Sequence, residues 1–159
     1  RDGRKSYPVI LHTAIIGTIE RYLYAVLDTA LQSKPPRLPT WLSPTQVRVI
    51  PVADKYLPIA RKVAVKLSSL GVRADLDDRS ESLPRKVYEA EVAWIPYIAV
   101  VGEREAKTGR LAVRLRETGE QARMTVKKLA EKIAGETKGY PFRPLKIPME
   151  LSKRPVYSS

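Results

Sequence analysis

The sequence has no cysteine and only one histidine among its 159 residues. Without cysteine the chain can form no disulfide framework, no catalytic thiolate and no cysteine-based metal site. His12 has no second ligand at zinc-binding spacing, so a complete zinc site within the chain is excluded. The sequence also lacks a G-x-x-x-x-G-K-[ST] motif, a G-x-G-x-x-G motif and a Ser/His/Asp set. The residues alone therefore predict no complete active site.

A long apolar run without charges is also missing. The most apolar stretch, residues 7–28, includes Glu20 and Arg21, and a membrane span would not hold an acid and a base near its centre without partners. Residues 1–5 are basic, but a turn and a strand-like segment follow them rather than the core of a signal peptide. We therefore expect a cytoplasmic protein with no membrane partner. Because the first residue is Arg1 rather than methionine, we also expect a piece of a longer protein.

Positive charge is what the sequence has in excess. Lysine and arginine number 29 against 17 aspartate and glutamate residues, which gives a formal net charge of +12. Such an excess favours a polyanionic partner, and RNA or DNA is the first candidate. The alternative is a highly charged surface of the kind that thermophilic proteins carry, or the basic character common among cytosolic proteins. The length is sufficient for one well-buried domain, or for one domain with an appendage.

The pattern along the chain indicates two units. Residues 7–11 are short, β-branched and aromatic, which predicts a buried strand. From Gly17 onward a helix is predicted, with one apolar stripe toward a core. The stripe consists of Ile16, Ile19, Leu23, Val26, Leu27 and Ala30. Residues 33–39 contain prolines that no helix or central strand would tolerate, so we predict a first unit over residues 1–38 and a second over residues 39–159.

The second unit has the pattern of an α/β fold, in the order β-α-β-α-β-β-α. Strands are predicted over residues 46–52, 72–76, 95–102 and 110–116. This alternation indicates a mixed, mostly parallel sheet of about five strands with helices on both faces. Residues 103–109 are predicted to form a tight polar turn that joins the last two strands as a hairpin.

The last predicted strand alternates strictly between apolar residues and mostly basic ones. The basic face carries Arg110, Arg114 and Arg116, and the neighbouring turn adds Arg104 and Glu105. Arginines can contact RNA phosphates or stack on bases, and a carboxylate can accept hydrogen bonds from base amino groups. This surface is therefore suited to a single-stranded RNA loop. The alternative is a solvated strand face with ordinary ion pairs.

The polar residues within the first unit allow two interpretations each. A lone histidine such as His12 is more often a structural group than a metal ligand. Burying Glu20 and Arg21 on an apolar helix would require compensation for the lost solvation. The fork-shaped guanidinium of Arg21 suits a phosphate, but an ion pair with Glu20 would satisfy the same requirement.

Several blocks of the sequence resemble one enzyme family in order. PVILHTAIIGTIERYL, with its G-x-x-E-R, resembles the third signature motif of class II aminoacyl-tRNA synthetases. PTWLSPTQVRVIPV, GVRADLDDRSESLPRKV, IPYIAVVGERE and TGRLAVRLRETGE resemble successive blocks of the class IIa anticodon-binding domain. The histidine ahead of the motif and the Pro-Thr-Trp-Leu-Ser-Pro segment make the chain similar to threonyl-tRNA synthetases, and its C-terminal tail resembles archaeal members. The resemblance covers essentially the whole chain.

The resemblance implies roles for residues of the first unit. Arg21 matches the catalytic motif arginine that binds a phosphate of ATP, which enters with Mg²⁺, and Gly17 matches the glycine that permits close approach there. His12 matches the third ligand of the zinc ion that recognises threonine, and the other ligands lie outside this chain. In the intact enzyme, a homodimer, threonine would be activated with ATP and transferred to its tRNA. The chain alone is expected to be inactive.

For the second unit, the resemblance implies recognition of threonine tRNA through its anticodon arm. Glu105 and Arg114 match positions that read anticodon bases, and Arg104 and Arg116 lie beside them. Ser80 occupies a position where bacterial relatives use asparagine near the anticodon. Two alternatives stay open: a free-standing RNA-binding accessory module without catalysis, and another class IIa synthetase such as the prolyl enzyme.

Overall fold

A computed structural model describes residues 7–155 of the protein. Its helices are α1 Ile19–Leu31, α2 Leu57–Ser69, α3 Leu83–Val92, α4 Glu103–Thr108 and α5 Val126–Glu136. Its strands are β1 Val47–Pro51, β2 Ala74–Leu76, β3 Tyr97–Val101, β4 Arg110–Leu115 and β5 Gln121–Thr125. The turn predicted at the N-terminus, residues 1–6, lies outside the described residues, as do residues 156–159 of the tail.

The strands form one mixed sheet in the order β2-β1-β3-β4-β5. β1 pairs in parallel with both β2 and β3, whereas β4 pairs antiparallel with β3 and with β5. Four strands thus run in one direction and β4 runs against them. The predicted α/β class and the mixed five-stranded sheet are confirmed. The fifth strand is β5, which the sequence pattern did not predict because Met124 is its only buried residue.

Helices cover the two faces of the sheet unequally. On one face, α2 and α5 close the main core with side chains such as Leu67, Leu129 and Ile133. On the other face, α3 covers only β1 and β3, where Ala90 packs with Ile50 and Ile98. The same face of β4 and β5 is therefore left uncovered by α3.

The predicted polar turn over residues 103–109 is wrong, because most of it forms helix α4. A carboxylate oxygen of Glu105 accepts a hydrogen bond from the Gly102 N–H at 2.9 Å and caps the first turn. Lys107 pairs with Glu103 at 2.6 Å along the helix surface. Gly109, with φ of 66°, ends the helix in the left-handed conformation that favours glycine. β3 and β4 are therefore joined through a short helix.

The predicted strand over residues 7–11 is also absent. Within residues 7–155 no strand pairs with this segment, so its backbone has no ladder to join. Helix α1 begins at Ile19, two residues after Gly17, and Thr18 caps it. The predicted apolar stripe is largely exposed: Ala30 is buried, but Leu23 is 52% exposed. No helix of residues 7–155 has the length and apolar composition of a membrane span.

The tail folds back against the second unit. Tyr140 stacks on Trp41 with ring centroids 4.3 Å apart. Further along, the Leu76 N–H donates to the Met149 carbonyl at 2.9 Å, so the tail covers the exposed edge of β2. Asp75 is completely buried there, between Arg48 at 2.9 Å and Arg154 at 3.0 Å. The C-terminal segment is thus held by a buried charge network.

Candidate nucleic-acid interface

The uncovered part of the sheet is a basic surface. Leu111 and Val113 of β4 point into the main core, so Arg110 and Arg114, which alternate with them, lie on the opposite face. The ladder places Arg114 opposite Gln121 and Ala112 opposite Arg123 of β5. The predicted arginine face is confirmed for β4, and the structure adds Arg123. This residue was missed because β5 itself was not recognised in the sequence.

Arg114 lies at the boundary between this basic surface and α3. Its guanidinium forms an ion pair with Glu91 of α3 at 2.9 Å, and both side chains are partly exposed. Such a pair in solvent contributes only about 0–1 kcal/mol. The pair can therefore orient Arg114 and still leave the remaining guanidinium N–H groups available to a ligand.

Glu105 and Arg104 lie on α4, which packs against both β3 and β4. The Glu105 Oε2 atom is occupied by the Gly102 N–H, whereas no hydrogen bond to Oε1 is present within residues 7–155. Arg104 is exposed, and no carboxylate of the described residues forms an ion pair with it. Glu105 thus combines a capping role with one acceptor atom that a ligand can use.

Arg116 is held by the protein rather than presented to solvent. Its Nε donates to the Pro36 carbonyl at 2.7 Å, and Nη1 donates to the Glu91 carbonyl at 2.6 Å. Burial lowers the pKa of Arg116, and the nearby charge of Glu91 opposes that shift. These contacts tie the Pro-rich linker and the C-terminus of α3 to the end of β4. Sequence alternation grouped Arg116 with Arg110 and Arg114, but it lies one residue beyond the strand.

Ser80 is an exposed residue in the bend between β2 and α3. Its neighbour Arg79 is fixed by Asp77 and by Glu89, each at 2.7 Å. Helix α3 is capped by Ser82, not by Ser80. Ser80 follows β2 and Glu105 follows β3, so both lie at the carboxyl edge of the parallel strands, with β1 between them.

A cleft of about 500 Å³ separates α3 from the basic surface. Its walls include Tyr88, Trp94, Ile98 and Arg114. Tyr88 is 58% exposed, and Trp94 adopts a left-handed backbone conformation with φ of 55° as the chain leaves α3. Aromatic rings beside an arginine are the groups on which nucleobases stack. Sequence analysis missed Tyr88, whose signal was an aromatic residue on the polar side of a predicted helix.

Among the candidate residues of the first unit, only Gly17 and Arg21 are seen close together. Gly17 has φ of 74°, and a Cβ placed on it would lie 3.7 Å from the Arg21 Cδ. Arg21 and Glu20 are both exposed, and no ion pair between them occurs in the part of the chain that the structure describes. His12 is exposed too, and residues 7–155 contain no group of three side chains able to hold a metal ion. The described residues of the first unit therefore do not form a metal site.

Comparisons with known proteins identify the family to which the second unit is similar. A family model described as "Anticodon binding domain" matches residues 46–136. The chain is 54% identical over 98% of its length to the threonine–tRNA ligase of Pyrobaculum calidifontis, and 51% identical over 99% to that of Thermofilum pendens. It spans 26% of the length of each of these relatives.

The solved structures include a similar fold. The RNA binding domain of threonyl-tRNA synthetase from Cryptosporidium parvum Iowa II matches with a TM-score of 0.68 and 27% sequence identity. The match covers 82% of this chain and 31% of that chain. Because the family model covers residues 46–136, which make up more than half of the sequence, this protein belongs to the family of anticodon-binding domains.

Proposed function

We propose that the chain is the anticodon-recognition portion of a threonine–tRNA ligase, the enzyme that activates threonine with ATP and transfers it to tRNA. The main observation behind the proposal is that the residues matched by the family model form the sheet of the described residues. The part of this sheet that α3 leaves uncovered bears arginines. The similarity to threonine–tRNA ligases over nearly the whole chain favours this function over the prolyl enzyme and over a free-standing module.

Anticodon bases would bind at the cleft beside Arg114. The guanidinium of Arg114 can donate two parallel hydrogen bonds to a base edge while Glu91 fixes its direction. Glu105 Oε1 can accept from an exocyclic amino group, because Oε2 alone serves the helix cap. Arg104 and Ser80 are exposed at the same carboxyl edge of the parallel strands as Glu105, outside the residues that line the cleft, and supply polar contacts to nucleotides that extend beyond it. Unpaired loop bases can stack on Tyr88.

We assign Arg116 a positioning role within the same site. Both of its hydrogen bonds end on backbone carbonyls, of Pro36 and Glu91, so its guanidinium is not available as a whole to a base. By holding the end of α3, Arg116 fixes the residue that orients Arg114.

The first unit would contribute to the catalytic site of the intact enzyme. Arg21 suits a phosphate of Mg²⁺-bound ATP, because its side chain is exposed beside Gly17, which leaves room for close approach. The exposed His12 can supply one imidazole nitrogen, so it fits as one ligand of a zinc ion that would bind the amino and hydroxyl groups of threonine. A homodimeric, cytoplasmic enzyme is part of the same proposal.

The test is discrimination between threonine tRNA and the same tRNA with a scrambled anticodon. Wild-type chain should prefer the former, and Arg114→Ala should reduce that preference about 5- to 150-fold, which corresponds to the loss of one bidentate base contact. Glu105→Gln should act in the same direction while keeping an oxygen for the Gly102 cap. Dissociation constants by filter binding provide the measurement.

Lys66→Ala is the control, since Lys66 is exposed on α2, on the other side of the sheet. Equal affinity of the wild-type chain for both tRNAs would contradict base recognition altogether. Identical effects of Arg114→Ala and Lys66→Ala would remove Arg114 from the site.

A further inference from the structure

Three arginines surround one small residue on the uncovered face of β4 and β5. Ala112 lies directly opposite Arg123, and Arg110 and Arg114 flank Ala112 on its own strand. Arg123 is therefore the diagonal neighbour of both, at a backbone spacing of about 7–8 Å. Because side chains alternate along a strand, all three project from the same face as Ala112.

The charge of this arginine triangle is poorly compensated. Arg114 has Glu91 as its partner at 2.9 Å. Arg110 and Arg123 are exposed, and no carboxylate of residues 7–155 forms an ion pair with either. Like charges at this spacing, which is about one Debye length at physiological salt, repel one another. A ligand with several negative charges would remove that repulsion.

The surroundings favour an extended anion over a compact one. Ala112 is small, so the centre of the triangle is low and a chain can approach the sheet closely. Gln121 and Thr125 stand opposite Arg114 and Arg110 and add uncharged hydrogen-bonding groups. α3 ends its coverage at β3, so the surface continues without a barrier from the cleft at Tyr88 and Arg114 to the edge strand β5.

We propose that Arg110 and Arg123 bind consecutive phosphate groups of the tRNA anticodon arm, extending the RNA surface across β5. The inference rests on the proposed function, because it places the RNA backbone next to the bases held at Arg114. Fork-shaped guanidinium groups bind phosphate oxygens in pairs, and contacts to phosphates position the RNA without reading its sequence. These two residues therefore supply affinity, and the cleft supplies sequence preference.

The experiment compares two charge-matched double variants of the full chain. R110Q/R123Q removes two charges from the proposed surface, and K62Q/K66Q removes two exposed charges from α2 on the opposite side of the sheet. Binding to threonine tRNA and to the scrambled-anticodon tRNA is measured between about 50 and 200 mM salt. Unchanged circular dichroism and thermal midpoints establish that both variants fold.

For R110Q/R123Q we expect the affinity for both tRNAs to fall by the same factor, about tenfold or more. The slope of the logarithm of the association constant against the logarithm of the salt concentration should become shallower by about 1 to 2. K62Q/K66Q should change both quantities much less, and R110K/R123K should retain most of the slope. Preference for the correct anticodon should be unchanged throughout.

Equal effects of R110Q/R123Q and K62Q/K66Q would overturn the phosphate site and leave the proposed function standing, provided that Arg114→Ala still reduces discrimination between the two tRNAs. A competition experiment tests the nature of the ligand. If polyglutamate displaces tRNA from the wild-type chain as effectively as an RNA hairpin of equal charge does, the phosphate site is overturned in favour of an acidic peptide. Absence of discrimination in the wild-type chain is a different failure, which concerns the proposed function alone.

Discussion

Residues 7–31 and residues 46–136 both carry apolar side chains at regular spacing, but the two regions use them differently. In the second region, α5 buries Leu129 and Ile133 against the sheet. In the first, α1 has an equally regular apolar stripe, yet Leu23 and Leu27 are about half exposed. The side chains of the two helices are chemically alike. The difference is that α5 packs on the sheet, whereas α1 has little surface to pack against among the described residues.

The comparison shows how little amphipathic periodicity says about burial. A helix takes most of its stability in a protein from the packing of its apolar face. α1 has a cap at Thr18 and good periodicity, but within residues 7–155 only its last turn, at Ala30, reaches a core. We therefore expect perturbations of the first region to leave the folding of the sheet region almost unaffected.

The largest difference between the regions should come from their aspartates. Asp75→Ala leaves Arg48 and Arg154 without their shared buried carboxylate, and we expect a loss of about 3–5 kcal/mol in the free energy of unfolding. Asp28→Ala, on the exposed surface of α1, should change it by less than about 0.5 kcal/mol. Urea unfolding followed by tryptophan fluorescence measures both. If the two substitutions lowered the free energy of unfolding by similar amounts, the two regions would not differ in packing as described.

A matched leucine pair tests the packing itself. Leu67 of α2 is completely buried, so Leu67→Ala should cost about 2–5 kcal/mol through lost transfer free energy and the cavity left behind. Leu23→Ala, the same change on a half-exposed position of α1, should cost less than about 0.5 kcal/mol. Thermal and urea unfolding provide the comparison. A loss of several kcal/mol for Leu23→Ala would mean that α1 has a packing partner absent from the described contacts.

The smallest expected effect depends on pH and concerns Glu136. Burial alone would raise the pKa of this carboxyl, but hydrogen bonds from Thr40 and Tyr97 and the contact with Lys132 outweigh it and lower the pKa below its ordinary value of 4.5. A carboxyl with a depressed pKa in the folded state stabilises the protein above its unfolded pKa. That contribution is lost as the pH falls through the folded value.

Glu136→Gln should therefore destabilise the chain by about 1–2 kcal/mol at neutral pH, and the difference should shrink below pH 4.5. Glu131→Gln, on the exposed side of α5, is the control, with little effect at any pH. Urea midpoints recorded across the acid range give the profiles. If the difference in urea midpoint between wild type and Glu136→Gln does not change with pH, the ionised carboxylate of Glu136 does not stabilise the fold through Thr40 and Tyr97.

Sequence reasoning was successful where local pattern and burial agree. The continuous apolar run that became β3 and the amphipathic helices α2 and α3 were predicted because each buries what its pattern indicates. It failed at α4, where a Glu105 cap and Gly109 make a helix from residues that resemble a turn. It failed at β5, because this segment forms a strand through backbone hydrogen bonds to β4 although its polar sequence has no strand pattern.

The same limit applies to the candidate site. Alternation along one strand placed Arg110 and Arg114 on a common face, and the structure agrees. Alternation could not show that Arg116 binds the carbonyls of Pro36 and Glu91, which are distant in sequence. Nor could it bring Arg123 beside Ala112 or Tyr88 to the cleft. Those relations depend on strand register and helix placement.

The sequence by itself determined the α/β class, the order of most elements, the basic character and the family resemblance, because these depend on composition, periodicity and local motifs. Only the tertiary structure decided which apolar stripe is buried, which arginines remain available and which of them hold the backbone. The physical reason is that burial and ion pairing are properties of facing surfaces. Whether two surfaces meet is fixed by the packing of the whole chain and not by either segment alone.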